Sequence, residues 1–296
     1  MVRVFYSPKY VGSGFAFDTT RKARWVADSL AESPVPGIEL IEPTPLTREV
    51  IATVHDPDYV RAVETGEPRH LAESQGFRWD TDLWPMVLAS NGGAVAAALA
   101  ARENGIAGSL SSGLHHAYYS RGDGYCTFNG LVLAANAALA SGAESVLILD
   151  LDAHCGGGTA SLIATEPRIR QVDVSVCGYD SYTPSERAQL AVVTNATEYL
   201  QEIRRMLGEV DRHGPFGLCL YNAGMDPSED CSTDGLAGIT REVLAEREKL
   251  VFAWCGARRV PIAFYLAGGY IGPRLDEQGL VALHRLTLYA ASRDGS

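Results

Sequence analysis

The sequence predicts an α/β fold, a single three-layer domain with a mostly parallel sheet and helices on both faces. Three observations predict it. Short apolar runs alternate with longer stretches of helical character, the order expected of a parallel sheet. The runs are continuously apolar, as strands buried on both faces are. Polar, chemistry-bearing residues follow directly after four of them, where parallel α/β sheets place their sites. The predicted strands are "VRVFY" (2–6), "GIAGSL" (105–110), "SVLILDLD" (145–152), "QVDVSV" (171–176), "FGLCLYNA" (216–223) and "VPIAFYLA" (260–267). Between them lie predicted helices at 20–31, 84–103, 129–141, 196–213, 240–257 and 276–292. No repeat, low-complexity tract or linker interrupts the pattern, so residues 1–296 read as one domain.

Composition narrows the function classes. A hydrophobic fraction of 46% in 296 residues is ample for a large core. The net charge of −11 lacks the basic stripe that nucleic acid requires. It suits cationic small molecules or basic peptides, and equally suits simple solubility. Six cysteines without CxxC spacing read as reduced thiols, Cys177 and Cys219 inside apolar runs. The start, "MVRVFYSPKY", has no signal-like apolar region, and no stretch reads as a bilayer span. The expectation is a cytoplasmic protein with neither a nucleic-acid nor a membrane partner. Nothing in the sequence sets an oligomeric state.

The chemistry concentrates in four segments. "LDLDAHCGGG" (149–158) sets Asp150, Asp152 and His154 at alternate positions. If the strand runs that far, alternation places all three on one face. Like charges so close repel unless a positive charge sits between them. Alone the segment could be a solvated strand end, an N-cap or an Mg²⁺-binding pair for phosphate chemistry. No GxxxxGK[ST] loop accompanies it. "YNAGMDPSEDCSTDG" brings Asp226 just past another apolar run. Asp152, His154 and Asp226 then make three N/O ligands with a fourth position left for water, the usual form of a catalytic zinc site. "SSGLHHAYYSRGDGYCTFNG" holds the adjacent His115 and His116, which an extended chain would point to opposite sides. Beside a metal site, a histidine is the natural general base. "FYLAGGYIG" places two glycines before Tyr270, whose hydroxyl could serve an oxyanion.

Together these segments resemble the zinc-dependent histone deacetylase and acetylpolyamine amidohydrolase family of the arginase–deacetylase superfamily. "SGLHHA", "DLDAHCGGG", "NAGMD" and "AGGY" occur in the family's order, and "ATVHDPDYVRAV" (52–63) and "NGGAVAAALAA" (91–101) resemble its earlier helices. The resemblance implies the arginase/deacetylase-like fold. It implies one Zn²⁺ per chain held by Asp152, His154 and Asp226, with His116 as general base/acid. Asp150 would pair with His115, its backbone near a monovalent-cation site for an ion such as K⁺. Tyr270 would be the oxyanion tyrosine. Gly124 and Tyr125 would line the acyl tunnel, Tyr182 would be its opposing wall, and Asp80, with Asp82 competing, would be the carboxylate at the rim.

The departures from the family pattern are as specific as the matches. Gly157 stands where many members carry an Asp or Asn supporting the second histidine, which leaves His116 without its expected partner. Cys155, Ala267 and Gly130 stand where other residues are common, and the early histidine–proline segment is missing from "SGFAFDTTRKARW". Gly156 stands where the binuclear manganese branch needs an aspartate, which argues for one metal. The resemblance implies a zinc-dependent amidohydrolase in which a metal-bound water attacks an acylated lysine, polyamine or related small amine. Its substrate would be a small molecule or a peptide. The competing reading is a weakly active or non-catalytic binder of acylated amines, because His116 lacks its carboxylate.

Overall fold

In a computed structural model, residues 1–294 are described, and among them eight strands form one parallel sheet. They are β1 (Val2–Phe5), β2 (Ile38–Ile41), β3 (Ile106–Ser109), β4 (Val146–Asp150), β5 (Ile169–Ser175), β6 (Ala188–Val192), β7 (Leu218–Gly224) and β8 (Ile262–Ala267). The spatial order is β2-β1-β3-β8-β7-β4-β5-β6. All six predicted strands and all six long helices are present, with ends shifted by a few residues. The two strands that the sequence pattern does not reveal, β2 and β6, are the outermost of the sheet. Their residues are largely half-buried or exposed, so they carry no continuous apolar run.

Alternation along the central strands divides the core in two. Leu147, Leu149, Cys219, Tyr221, Ile262, Phe264 and Leu266 face one side. They pack with the helices Asp18–Glu32, Ala196–Val210, Arg241–Arg258 and Glu277–Asp294. Val146, Ile148, Leu218, Leu220, Ala263 and Tyr265 face the other, against Leu83–Asn104 and Gly130–Ala140. The helix Leu83–Asn104 corrects one expectation. By length and mean hydropathy (1.4) it could cross a membrane, but 67% of that window is buried inside the fold, as a core helix is.

The strand order explains where a site can form. β1, β2 and β3 extend the sheet one way and β4, β5 and β6 the other, with β8 and β7 inserted between. Loops leaving β3 and β4 therefore diverge over β7 and β8 and open a crevice at the carboxyl ends. His55 anchors one wall of it. Its Nδ1–H donates to the Tyr118 carbonyl (2.8 Å), and its Nε2 accepts from the Asn129 amide (2.9 Å). The Asn129 side chain caps the helix Gly130–Ala140 and donates to the His115 and Ala117 carbonyls. The neutral imidazole is thus a strut under the 115–118 turn.

Burial holds the His55 pKa at about 4, below its ordinary 6.5. Because the folded value lies below the unfolded one, this stability is present above about pH 6.5 and is lost as pH falls toward 4. The shift corresponds to an order of 3 kcal/mol. A His55→Asn variant is expected to be less stable than the parent at pH 7 and to lose less on acidification to pH 4.5. Urea midpoints at the two pH values measure this; parallel losses in both proteins would remove His55 as the acid-sensitive strut.

Candidate active site

The site is assembled from the carboxyl ends of four adjacent strands, β3, β8, β7 and β4, with a fifth contribution from the loop after β5. Strand β4 ends at Asp150, so Asp152 and His154 are not carried on one face by strand alternation. Beyond Asp150 the chain bends, and the bend rather than the pleat brings them to Asp226. His154 Nδ1 lies 3.0 Å from Asp152 Oδ1 and 3.2 Å from Asp226 Oδ2. The donor atoms of the three residues all lie within 4.8 Å of one another, and all three are buried. Asp226 Oδ1 accepts the Ala153 amide (3.0 Å), which ties the two loops together. At Gly268 (φ 58°) an added Cβ would fall 2.2 Å from Asp226 Oδ1, so "AGG" needs glycine there to pass the carboxylate.

Two buried carboxylates in contact with an imidazole require a positive charge. Burial pulls the His154 pKa down, but its bonds to Asp152 and Asp226 outweigh this and lift it to about 12. Burial and repulsion from Asp152 raise Asp226 to about 6. A proton on His154 or a divalent cation answers the same need, and metal ligation requires that proton to leave. Two carboxylate oxygens and one imidazole nitrogen suit a zinc-like ion.

The tandem histidines do not point to opposite sides. The chain turns at Leu114 (φ 59°), and the two rings lie side by side with centroids 3.9 Å apart. His115 Nδ1 pairs with Asp150 Oδ2 (2.8 Å). Asp150 Oδ1 accepts from Asn222 Nδ2 (2.9 Å), and Asn222 Oδ1 accepts the Gly113 amide (3.1 Å). Burial lowers the His115 pKa, but Asp150 and Asp152 overcome this and raise it to about 10. For His116, burial and the neighbouring His115 push the pKa down. The pair thus divides into a cation and a neutral base.

His116 is not without a carboxylate. Its Nδ1 lies 2.8 Å from Asp180 Oδ2, which corrects the expectation drawn from Gly157. Asp180 comes from the loop after β5, in the segment "CGYDSY", and no motif in the sequence marked it. Asn222 was missed as well, although it lies inside the predicted strand directly before "AGMD" and pairs in register with Asp150.

A cavity of about 360 Å³ opens above the cluster, lined in part by His116, Tyr125, His154 and Tyr270. Tyr270, 9% exposed, faces the His154 ring edge-on at 6.3 Å. Burial, then Asp226 and Asp152, raise its pKa, so the hydroxyl stays a donor. Tyr125 stacks on Phe17 (4.6 Å) and Phe77 (5.5 Å), making one wall. Tyr179, not Tyr182, stands opposite. Its ring meets His116 at 5.1 Å and His154 at 5.9 Å, and its hydroxyl donates to Asp123 (2.5 Å). Tyr182 is turned away and donates to the Gln189 carbonyl, bracing β6. Asp80 likewise lies off the cavity. It accepts from Ser13 Oγ and the Gly14 amide, both at 2.9 Å, and so pins the loop before Phe17. The carboxylates at the mouth are instead Asp123 and Asp234. Asp82 also lies outside the lining, and Glu229 is turned to the Gly238 amide (2.7 Å).

With this geometry in place, the comparisons are decisive for ancestry. Residues 17–284 match the histone deacetylase domain. The chain belongs to the histone deacetylase family. An uncharacterised protein of Picosynechococcus sp. is 30% identical over 262 residues, 86% of this chain and 85% of that one. Histone deacetylase 2 of Arabidopsis thaliana is 24% identical over 91% of this chain and 75% of its own. Among solved structures, the HDA15 HD domain superposes with a TM-score of 0.81 at 18% identity, covering 99% of this chain and 90% of that one. An acetylpolyamine aminohydrolase from Burkholderia pseudomallei superposes at 0.80 with 21% identity and 98% of each chain. At those identities the superpositions show a shared arginase/deacetylase-like fold.

Gly124 generates a test of the wall geometry. It holds φ 46°, and an added Cβ would lie 2.4 Å from His116 Cδ2. Gly124→Ala is expected to destabilise the fold by roughly 1–3 kcal/mol through strain and overpacking. A melting temperature equal to the parent's would show that the turn has room this geometry denies it.

Proposed function

We propose that the protein is a zinc-dependent amidohydrolase that removes an acyl group from an amine. The observation that supports this most is the contact of Asp152, His154 and Asp226 at the floor of a cavity shared with His116 and Tyr270. Family membership supports a hydrolase acting on amides. Zinc bound by Asp152, His154 and Asp226 would supply Lewis acidity to the amide carbonyl and acidify water.

The chain's own residues divide the remaining work. His116 donates through Nδ1–H to Asp180, which leaves Nε2 free to take a proton from the attacking water. The same atom can return that proton to the departing amine nitrogen. His115, protonated against Asp150, adds a positive charge beneath the developing oxyanion. The Tyr270 hydroxyl donates to that oxyanion. Tyr125 and Tyr179 hold an extended linker between two aromatic faces and exclude water from it. The alternative, a non-catalytic binder, assumes a His116 without a carboxylate, and the Asp180 contact supports the catalytic reading over it.

The mouth supports a substrate class. Asp123 and Asp234 line it, and none of the described lining residues is lysine or arginine. Arg121 lies 3.7 Å from Asp123 and His154 Nε2 lies 3.0 Å from Asp234, and each offsets part of that charge. We therefore assign a cationic acylated amine to this mouth.

Three outcomes test the reading. Purified protein is expected to hold about one zinc per chain, and Asp226→Ala to hold far less; an undiminished zinc content would displace Asp226 from the ligand set. Tyr270→Phe is expected to lower kcat by on the order of 10²–10³ with zinc still bound, and an unchanged kcat would remove the hydroxyl from the reaction. An acetylated diamine should show a higher kcat/KM than its neutral isostere at low salt. That preference should shrink at high salt, since exposed charges are screened within about 8 Å at physiological ionic strength. Equal values at both salt concentrations would refute the electrostatic assignment and leave the hydrolysis intact.

A further inference from the structure

We propose that Asp180 is the positioning residue of His116 and that Gly157 is its obligatory steric complement. The carboxylate that fixes the second histidine thus comes from the loop after β5. The inference rests on the amide-hydrolysis reading only for what His116 does; the contact itself is independent of it.

Four observations carry it. Asp180 Oδ2 lies 2.8 Å from His116 Nδ1 and also accepts the Gly158 amide (3.3 Å), while Oδ1 accepts the Tyr118 hydroxyl. Both oxygens are therefore held, and the carboxylate cannot swing away from the ring. The Asp180 side chain is only 7% exposed, so its charge is committed to these donors and not to solvent. The loop carrying it is tied to the metal-binding turn, because the Cys155 amide donates to the Tyr179 carbonyl (3.0 Å).

The fourth observation is steric. A Cβ at Gly157 would lie 2.4 Å from the Asp180 carbonyl oxygen, 2.5 Å from Oδ1 and 2.8 Å from Cγ. The space that a side chain at 157 would need is the space that Asp180 fills. A carboxylate can reach His116 from position 157 or from position 180, and not from both. Asp180 itself sits at φ 57°, where an L-residue is tolerated chiefly when its surroundings over-determine it. Its three donors provide that determination.

A carboxylate at Nδ1 does more than brace the ring. It keeps the proton on Nδ1, so the lone pair stays on Nε2, the atom left to face the reacting water. Removing it lets the imidazole take the other tautomer or turn about χ2. This should lower the rate of the chemical step while leaving substrate capture in the aromatic channel largely as it was.

The experiment uses the full chain, loaded with its metal, in four forms: parent, Asp180→Gly, Asp180→Asn and Gly157→Ala. Asp180→Gly accepts the left-handed φ and removes the acceptor, and is expected to lower kcat by roughly 10–100-fold with KM little changed and metal content equal to the parent's. Asp180→Asn keeps an acceptor oxygen for His116 Nδ1–H and should retain more activity than Asp180→Gly. Gly157→Ala sets a methyl group against the Asp180 carbonyl oxygen and Oδ1 and should be impaired in the same direction as Asp180→Gly.

Proton NMR of the imidazole N–H region gives a readout independent of turnover. The parent should show two strongly hydrogen-bonded Nδ1–H signals, from His115 and His116, and Asp180→Gly should lose one. If Asp180→Gly keeps both signals and the parent kcat, the proposal is overturned. If the parent hydrolyses no acyl-amide, the function reading fails, and the loss or retention of the signal still decides the contact. Should Asp180→Gly not fold, Gly157→Ala decides it: a folded Gly157→Ala variant with both signals and the parent kcat would overturn the proposal.

Discussion

Four aspartates, Asp150, Asp152, Asp173 and Asp226, are buried within one end of a single sheet, and the surrounding structure is organised by the need to satisfy them. Carboxylates in a low-dielectric interior are tolerated only with donors or cations in contact. Asp150 has His115 and Asn222, and Asp226 has the Ala153 amide and His154. Asp173 accepts the Gly156 amide (2.7 Å) and the Ser175 hydroxyl (2.6 Å). Lys22, fully buried on the helix Asp18–Glu32, adds a positive charge that Asp152 and Asp226 feel. Arg247, also fully buried, donates to the Leu151 and Gly224 carbonyls and so clamps the two chain segments that deliver Asp152 and Asp226. Of these carboxylates, Asp226 is left with a buried Oδ2 that makes no hydrogen bond, beside His154 Nδ1 at 3.2 Å, a place a cation suits.

The same electrostatics separate two chemically identical histidines. His115 faces Asp150 and Asp152 from within the protein and is held as a cation. His116 lies beside that cation, and burial and repulsion keep it neutral despite its carboxylate. A base and a fixed positive charge thus arise from adjacent residues whose only difference is what each ring touches. This is the environment-driven division of labour that acid–base sites use.

The channel above them is set by loops. Phe17 enters from the first loop and stacks on Tyr125, Asp80 fixes that loop from below, and Tyr179 closes the opposite side. The loop that supplies Tyr179 also supplies Asp180. One short segment after β5 therefore both lines the cavity through Tyr179 and holds His116 through Asp180.

The sequence by itself determined the fold class, the six inner strands and the grouping of Asp152, His154 and Asp226. Those features rest on local signals: uniformly apolar runs from strands buried on two faces, and unusual polar residues at their ends. Edge strands β2 and β6 were not legible, because partial exposure removes the pattern that announces a strand. The tertiary structure alone decided which carboxylate serves His116 and which tyrosine lines the channel. Asp180 lies 64 residues from His116, and Tyr179 and Tyr182 differ by only three positions in an irregular loop. No periodicity governs a loop's side chains. Their directions follow from how the loop packs, here on the space that Gly157 leaves open.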